Sequence, residues 1–391
     1  MDPYFHPAVR LHRYVISRHW DGRALAGPDP GVRFNYRIGR FVKSYLPALR
    51  WADEYAYLQA QGYWTLANWR LFQRTGEDRY RYVAVGCSEY MLERQRTSGA
   101  WEYPNPEWKG RVATVEGTWA SLGLLESYRA TGKAEFLDGA LRWHTFLFRR
   151  ISFQQVGAEL AVNYFADRAG LRVPNNSALV LRFLAELAAT TGVESYAEPC
   201  AGLLAFLRAA QKPTGEFPYA VAGADAESGR PHFQCYQYNA FQCLDLLRYY
   251  EVSGDQTAIP LVTAALAFLR GGQAENGDTL YDCDNRYRRV TYHTAALAAA
   301  FCEASQALAV SEDPWSLGTA YDQVAGRAYS RLLSLQRPDG GFPYSRGDYR
   351  LLADRRSYPR YLAMILYHLL QPRPHLQGDT VLNKEAAHGV R

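Results

Sequence analysis

Apolar residues recur at steps of three and four along most of this chain, in runs long enough for helices of several turns. Six such runs read as amphipathic helices: ADEYAYLQAQGYWTLANWRLFQRTG (52–76), ATVEGTWASLGLLESYRATG (113–132), VPNNSALVLRFLAELAATTG (173–192), FQCYQYNAFQCLDLLRYYEVSG (233–254), VTYHTAALAAAFCEASQALA (290–309) and RSYPRYLAMILYHLLQ (356–371). Several stop at a glycine placed as a helix C-cap. A second helix returns after each, for example AEFLDGALRWHTFLF or QTAIPLVTAALAFLR.

Between the pairs lies a repeat. YMLERQRTSGAWEY (90–103), FLRAAQKPTGEFPY (206–219), FLRGGQAENGDTLY (268–281) and RLLSLQRPDGGFPY (331–344) each place a Gln, a Gly four residues later, then a hydrophobic residue or Thr, then a Tyr. The glycines are Gly99, Gly215, Gly277 and Gly340. The last two steps are 62 and 63 residues; the first, 116, spans two periods through a degenerate unit at 143–165 that lacks the turn glycine. A fixed period of this size marks a repeat architecture. An open array needs polar caps at both ends, whereas six pairs can close on themselves. The pattern therefore predicts an all-α fold, an (α/α)6 toroid of about six helix pairs. The first helix of each pair forms the inner ring, and its N-terminal end and preceding loop line one mouth. Residues 1–50 read as an N-terminal helical extension, 51–371 as the toroid and 372–391 as a polar tail.

The repeat resembles that of the squalene cyclase and protein prenyltransferase superfamily, with Tyr90/Gln95/Gly99/Trp101 and Phe206/Gln211/Gly215/Phe217 matching best. That resemblance implies the toroid and opens an isoprenoid reading, a terpenoid cyclase or prenyltransferase relative. The chemical motifs of those families depart here. Where cyclases carry an acid-rich run, this chain has Asn175-Asn176-Ser177-Ala178, and Asn has no proton to give. Prenyltransferase zinc ligands correspond to Cys235 and His293, but Phe233 stands at the Asp position, with His232 the possible substitute. No cofactor is expected, with zinc at Cys235 and His293 the minor alternative. The stretch from Tyr57 to Phe146 also resembles, in rhythm, the helical domain of glucuronyl C5-epimerases and related toroid sugar enzymes.

Composition narrows the chemistry. There are 29 Tyr and 9 Trp, residues suited to half-wet binding surfaces. The net charge of +5, without a separate basic block, does not favour a nucleic-acid partner. No run approaches the length of a membrane span, and no secretory h-region opens the chain, so a cytoplasmic setting with free cysteines is expected.

The predicted mouth collects Tyr, Trp, acids, amides and one His, which suits a saccharide better than an isoprenoid. Three residues are expected to carry proton transfer. His293 opens an otherwise Ala- and Leu-rich helix and titrates near neutrality. Tyr236 holds the equivalent place one repeat earlier. Glu116 lies in a first helical turn. Substrate contacts are expected from Asp53, Glu54, Trp101, Tyr103, Trp119, Asn175, Asn176, Tyr238, Asp284, Tyr292, Tyr344 and Arg356. Each also has an ordinary structural role open to it. The leading expectation is an enzyme acting on an acidic, uronate-containing saccharide by epimerisation or elimination. Hydrolysis by two carboxylates, an isoprenoid enzyme and a non-catalytic binding toroid remain open.

Overall fold

The periodic segments fold as helices because their apolar stripes find partners on both sides. The computed structural model describes residues 3–33, 35–46, 48–49, 53–222, 232–308 and 314–371, with side chains omitted at 36 and 314–317. The expected polar tail, 372–391, lies outside the described residues, as do residues 50–52 at the expected domain boundary.

In chain order the helices are α1 (Phe5–His19), α2 (Arg40–Tyr45), α3 (Leu58–Thr75), α4 (Asp78–Arg94), α5 (Thr114–Thr131), α6 (Ala134–Phe146), α7 (Pro174–Thr191), α8 (Cys200–Ala210), α9 (Cys235–Ser253), α10 (Ile259–Arg270), α11 (Thr291–Leu308), α12 (Pro314–Ser334) and α13 (Pro359–Leu369). Helices α3, α5, α7, α9, α11 and α13 each pack against the next, and α13 packs against α3, closing an inner ring of six. Outside them lie α4, α6, α8, α10 and α12, each beside its own inner helix. The sixth outer position, beside α13, is filled by α1. The first helix is thus part of the ring and not an appendage to it. No helix among the described residues is long and apolar enough to cross a membrane.

The repeat is the joint between successive outer helices. Gln95 Nε2 donates to the carbonyls of Gly99 (3.0 Å) and Gly139 (2.8 Å). Gln211 does the same to Gly215 and Leu261, and Gln336 to Gly340 and Pro7. Gln273 reaches Val324. One side chain thereby closes its own turn and binds the backbone of the next outer helix. The turn glycines sit at φ between 85° and 93°. At Gly215 a Cβ would overlap the Ala264 carbonyl, so the position demands both the left-handed backbone and the missing side chain.

Short strands fill the mouth side. The degenerate unit is a hairpin, β1 (Phe153–Val156) with β2 (Glu159–Val162), in place of a glycine turn. A second sheet runs β3 (Arg289–Val290), β4 (Ser345–Asp348), β5 (Leu352–Asp354), all antiparallel. Helix α2 lies against β5. The expected N-terminal helical extension is interrupted at Arg37, whose φ/ψ of −87°/−110° is not helical.

Candidate active site in the toroid mouth

All six inner helices direct their N-termini to one end of the ring. A cavity of about 250 Å³ opens there. The repeat supplies its wall: Tyr103, Tyr219, Tyr281 and Tyr344, each four residues past a turn glycine, all line it. Tyr238, Tyr292 and Tyr361 join them from the first turns of α9, α11 and α13, and Tyr164 from the segment after β2. The rings pack on one another, Tyr292 on Tyr361 at 4.5 Å and Tyr219 against Tyr238 at 5.2 Å between centroids. Burial pushes the phenols of Tyr164, Tyr238, Tyr292 and Tyr361 well above their ordinary value, so these side chains stay protonated. Trp119, Phe241 and Asp245 border both this cavity and another of about 330 Å³ at the opposite end, and so form the partition between them.

Two cations reach the cavity. Arg360, the second residue of α13, donates through Nε (3.0 Å) and Nη2 (2.7 Å) to Gln59 Oε1 and lies 4.3 Å over the Tyr57 ring. Its Nη1 is 3.6 Å from Asp29 Oδ2 and its Nη2 is 4.0 Å from Glu116 Oε1. Burial works against the charge on Arg360, and the neighbouring carboxyls of Asp29 and Glu116 favour it. Arg288 lies 4.3 Å over the Tyr281 ring, its Nε 2.8 Å from Asp348 Oδ1. That carboxylate also holds Arg40 at 2.7 Å, so two guanidiniums share one negative charge.

The buried acids differ in setting. Glu116 is fully buried; its Oε2 accepts from the Gln59 N–H at 3.0 Å, and its Oε1 has no hydrogen-bond partner. Desolvation raises its pKa, with Arg360 opposing. Burial raises Asp29 in the same way. Asp245 is raised by burial to about 6, against the pull of Arg182, whose Nη1 donates to it at 3.2 Å. Among the described residues, Asp245 is the one carboxyl in the cavity lining. Two further polar atoms in the lining residues, Asn176 Nδ2 and Gln237 Oε1, are buried without a protein partner.

Of the residues expected at the mouth, Tyr103, Trp119, Asn175, Asn176, Tyr238, Tyr292 and Tyr344 line the cavity. Glu116 sits behind Arg360. The structure does not bring the others there. His293 is fully buried against Tyr281 and Tyr292, with neither nitrogen hydrogen-bonded. Burial, aided by Arg288, pushes its pKa well down, which keeps it neutral. Tyr236 turns outward, stacked on Phe268 at 5.1 Å. Trp101 is a structural joint: its Nε1 donates to Met91 O at 2.8 Å and its ring packs on Trp143. Asp53, Glu54 and Arg356 line a separate cavity by the N-terminal segment, where Arg356 donates to the carbonyls of Lys43 and Leu49. Asp284 is exposed on its loop. Sequence reasoning missed Arg288, Arg360, Tyr361 and Asp245. Pro359 was the available signal for two of these, since proline favours the first helical position and so sets Arg360 and Tyr361 at the mouth.

No family model matches the sequence, and no curated protein matches it. Solved structures share the fold. A cellobiose 2-epimerase from Bacillus thermoamylovorans superposes with a TM-score of 0.72 at 12% identity, over 94% of this chain and 98% of its own. A possible GH105 family member from Salmonella enterica serovar Paratyphi A gives 0.68 at 14% identity, over 95% and 93%. An unsaturated glucuronyl hydrolase specific for heparin gives 0.66 at 11% identity, over 94% and 95%. The chain is thus an α/α toroid.

Proposed function

We propose that this protein is a carbohydrate-active enzyme that takes an acidic saccharide into the mouth cavity. The observation that carries this reading is the lining itself, a wall of tyrosines around two guanidiniums and two unpartnered amide atoms. Sugar rings stack on aromatic faces while hydroxyls need fixed donors and acceptors. Asn176 Nδ2 and Gln237 Oε1 offer one of each. A carboxylate suits Arg288 and Arg360, and the six helix N-termini add a favourable field. An isoprenoid chain would leave these polar groups buried and unpaired at a cost of about 1–3 kcal/mol each. The solved structures of similar fold include an epimerase and a glucuronyl hydrolase by their titles, which fits a saccharide ligand.

In this reading Asp245 carries the proton, since a carboxyl raised to about 6 is ionised yet basic near neutrality. It abstracts the hydrogen on the carbon next to the substrate carboxylate, and the guanidiniums stabilise the resulting enolate. A protonated tyrosine then returns a proton to the opposite face, giving epimerisation, or gives it to the departing oxygen, giving elimination. The proton on Asp245 then passes to solvent and the tyrosinate takes one back from solvent, which restores both groups for the next turnover.

Uronate oligosaccharides and their neutral counterparts, incubated with the protein in deuterium oxide and followed by NMR, test this. Deuterium at the carbon beside the carboxylate, or a new double bond, supports the reading; new reducing ends without either would indicate hydrolysis. Asp245→Asn should lower turnover by roughly 10²- to 10⁴-fold with binding retained. Arg288→Met should weaken uronate binding by roughly 10- to 100-fold and spare neutral sugars. Equal binding of neutral and acidic sugars by the native protein would overturn the acidic-substrate reading.

A further inference from the structure

Four side chains with metal-ligand atoms meet at the outer rim of the mouth, away from the acid–base groups above. Glu216, His232, Cys235 and Cys283 place one ligand atom each within 4.8 Å of all the others. The two sulfurs are 3.3 Å apart, and His232 Nδ1 is 2.8 Å from Glu216 Oε1. Zinc–ligand bonds of about 2.0–2.3 Å in a tetrahedron give ligand–ligand edges of roughly 3.3–3.8 Å, and the observed separations bracket them. His293 is not among these side chains.

We infer that Glu216, His232, Cys235 and Cys283 form a structural site for a tetrahedral divalent metal ion of the zinc type, stapling two rim loops together. The ligands come from separate places. Glu216 follows the turn glycine after α8, His232 and Cys235 flank the start of α9, and Cys283 lies in the loop before α11. Gln234, between His232 and Cys235, adopts a left-handed backbone (φ 47°, ψ 37°), an uncommon conformation for a residue other than glycine. Two thiolates with nitrogen and oxygen ligands select zinc over the harder cations. Four protein ligands close the shell, which marks a structural site rather than a catalytic one.

The charges also balance. Two thiolates and a carboxylate outweigh the dication by one unit, and Lys212 Nζ, 2.9 Å from Glu216 Oε2, neutralises it. Binding converts two thiols to thiolates and releases two protons to solvent, so affinity rises with pH. Burial pushes the Cys235 thiol up, and a bound dication reverses that. Tyr236 finds its role here. Its hydroxyl is 3.8 Å from Cys283 Sγ, an outer-shell position that supports a thiolate. Phe233 and Gln234, held between two ligands, line the cavity.

The test uses the full-length reduced protein. Zinc is titrated against a chromophoric chelator, and cobalt(II) is added as a spectroscopic stand-in. The site predicts one equivalent of zinc, and a cobalt complex with thiolate charge-transfer absorption and the intense visible bands of a tetrahedral ion. Cys283→Ser and His232→Ala should each abolish the tight equivalent. Tyr236→Phe should weaken it by roughly 10- to 100-fold, and Cys302→Ser should leave it unchanged. Circular dichroism checks that each variant is folded; His232, half-exposed at the rim, keeps the test available if the cysteine variant is not. A folded, reduced wild type that takes up no zinc overturns the site. So does metal held as tightly by the ligand variants. Neither result bears on whether the mouth binds saccharide.

Discussion

Asp245 shows how a buried carboxyl couples chemistry to stability. Its pKa is raised from 3.8 to about 6, chiefly by burial. Between those values the native protein keeps a proton that the unfolded chain has lost. The unfolded state then binds fewer protons, so this group's contribution to stability falls as pH rises through that window and is constant above it. The shift of about two units corresponds to roughly 3 kcal/mol. Glu186 in the same ion-pair network is shifted the other way, downward under Arg182, Arg248 and Arg129 although burial opposes this, and partly offsets the slope in the native protein. The comparison with Asp245→Asn isolates the one residue. Urea unfolding at pH 4, 5, 6 and 7 should show the native protein losing stability relative to the variant from pH 4 to 6, then running parallel to it. A constant difference across the series would mean that Asp245 does not titrate as described. The same residue shows why the mouth was only partly legible. Helical spacing places Tyr238 and Tyr292 near helix starts, and the repeat places Tyr103 and Tyr344. Nothing in the spacing shows that a side chain ten residues into α9 borders the cavity, or that His293 turns away from it, since helix rotation is set by packing across the ring.

At the scale of elements, the Gln–Gly repeat carries the architecture, and a matched pair of glycines measures it. Gly215 and Gly192 both have positive φ, 86° and 70°. At Gly192, the cap of α7, a Cβ would meet nothing within 4 Å. Gly192→Ala should therefore cost only left-handed strain, roughly 1–2 kcal/mol. Gly215→Ala adds an overlap with the backbone of α10, which cannot swing aside like a side chain, and should cost roughly 3 kcal/mol or more. Denaturant midpoints of the two variants decide this; equal losses would mean that the joint tolerates a methyl group and is looser than the contacts indicate. The joint was readable in the sequence because its Gln, Gly and following residues recur at a fixed spacing. Its partner was not, because Gln211 reaches Leu261, fifty residues on, and a local pattern does not name a distant carbonyl.

At the scale of the whole molecule, the ring closes with its two ends exchanged in order. Every other pair runs inner helix then outer helix, but α13 is the last inner helix and its outer partner α1 is the first helix of the chain. The reading of residues 1–50 as an extension followed from sequence order, which cannot show that a chain begins with the second half of its last repeat. The closure is well bonded: Gln336 donates to Pro7 O, Arg10 to Arg337 O, and Tyr4 stacks on Tyr329, whose hydroxyl donates to His368 O. Tyr4 and His368 thus meet at one residue, which places the described ends of the ring side by side. A circular permutant that joins residue 391 to residue 1 and opens between residues 49 and 53 would restore inner-then-outer order in all six pairs. If ring closure through α1 is the organising contact, that permutant should fold with the helical content of the parent and a melting temperature within a few degrees of it. Removal of residues 1–20 instead should strip the outer cover from α13 and abolish cooperative unfolding. A truncated chain that still melts cooperatively near the parent temperature would show that α1 is dispensable and that five and a half pairs suffice to hold the ring.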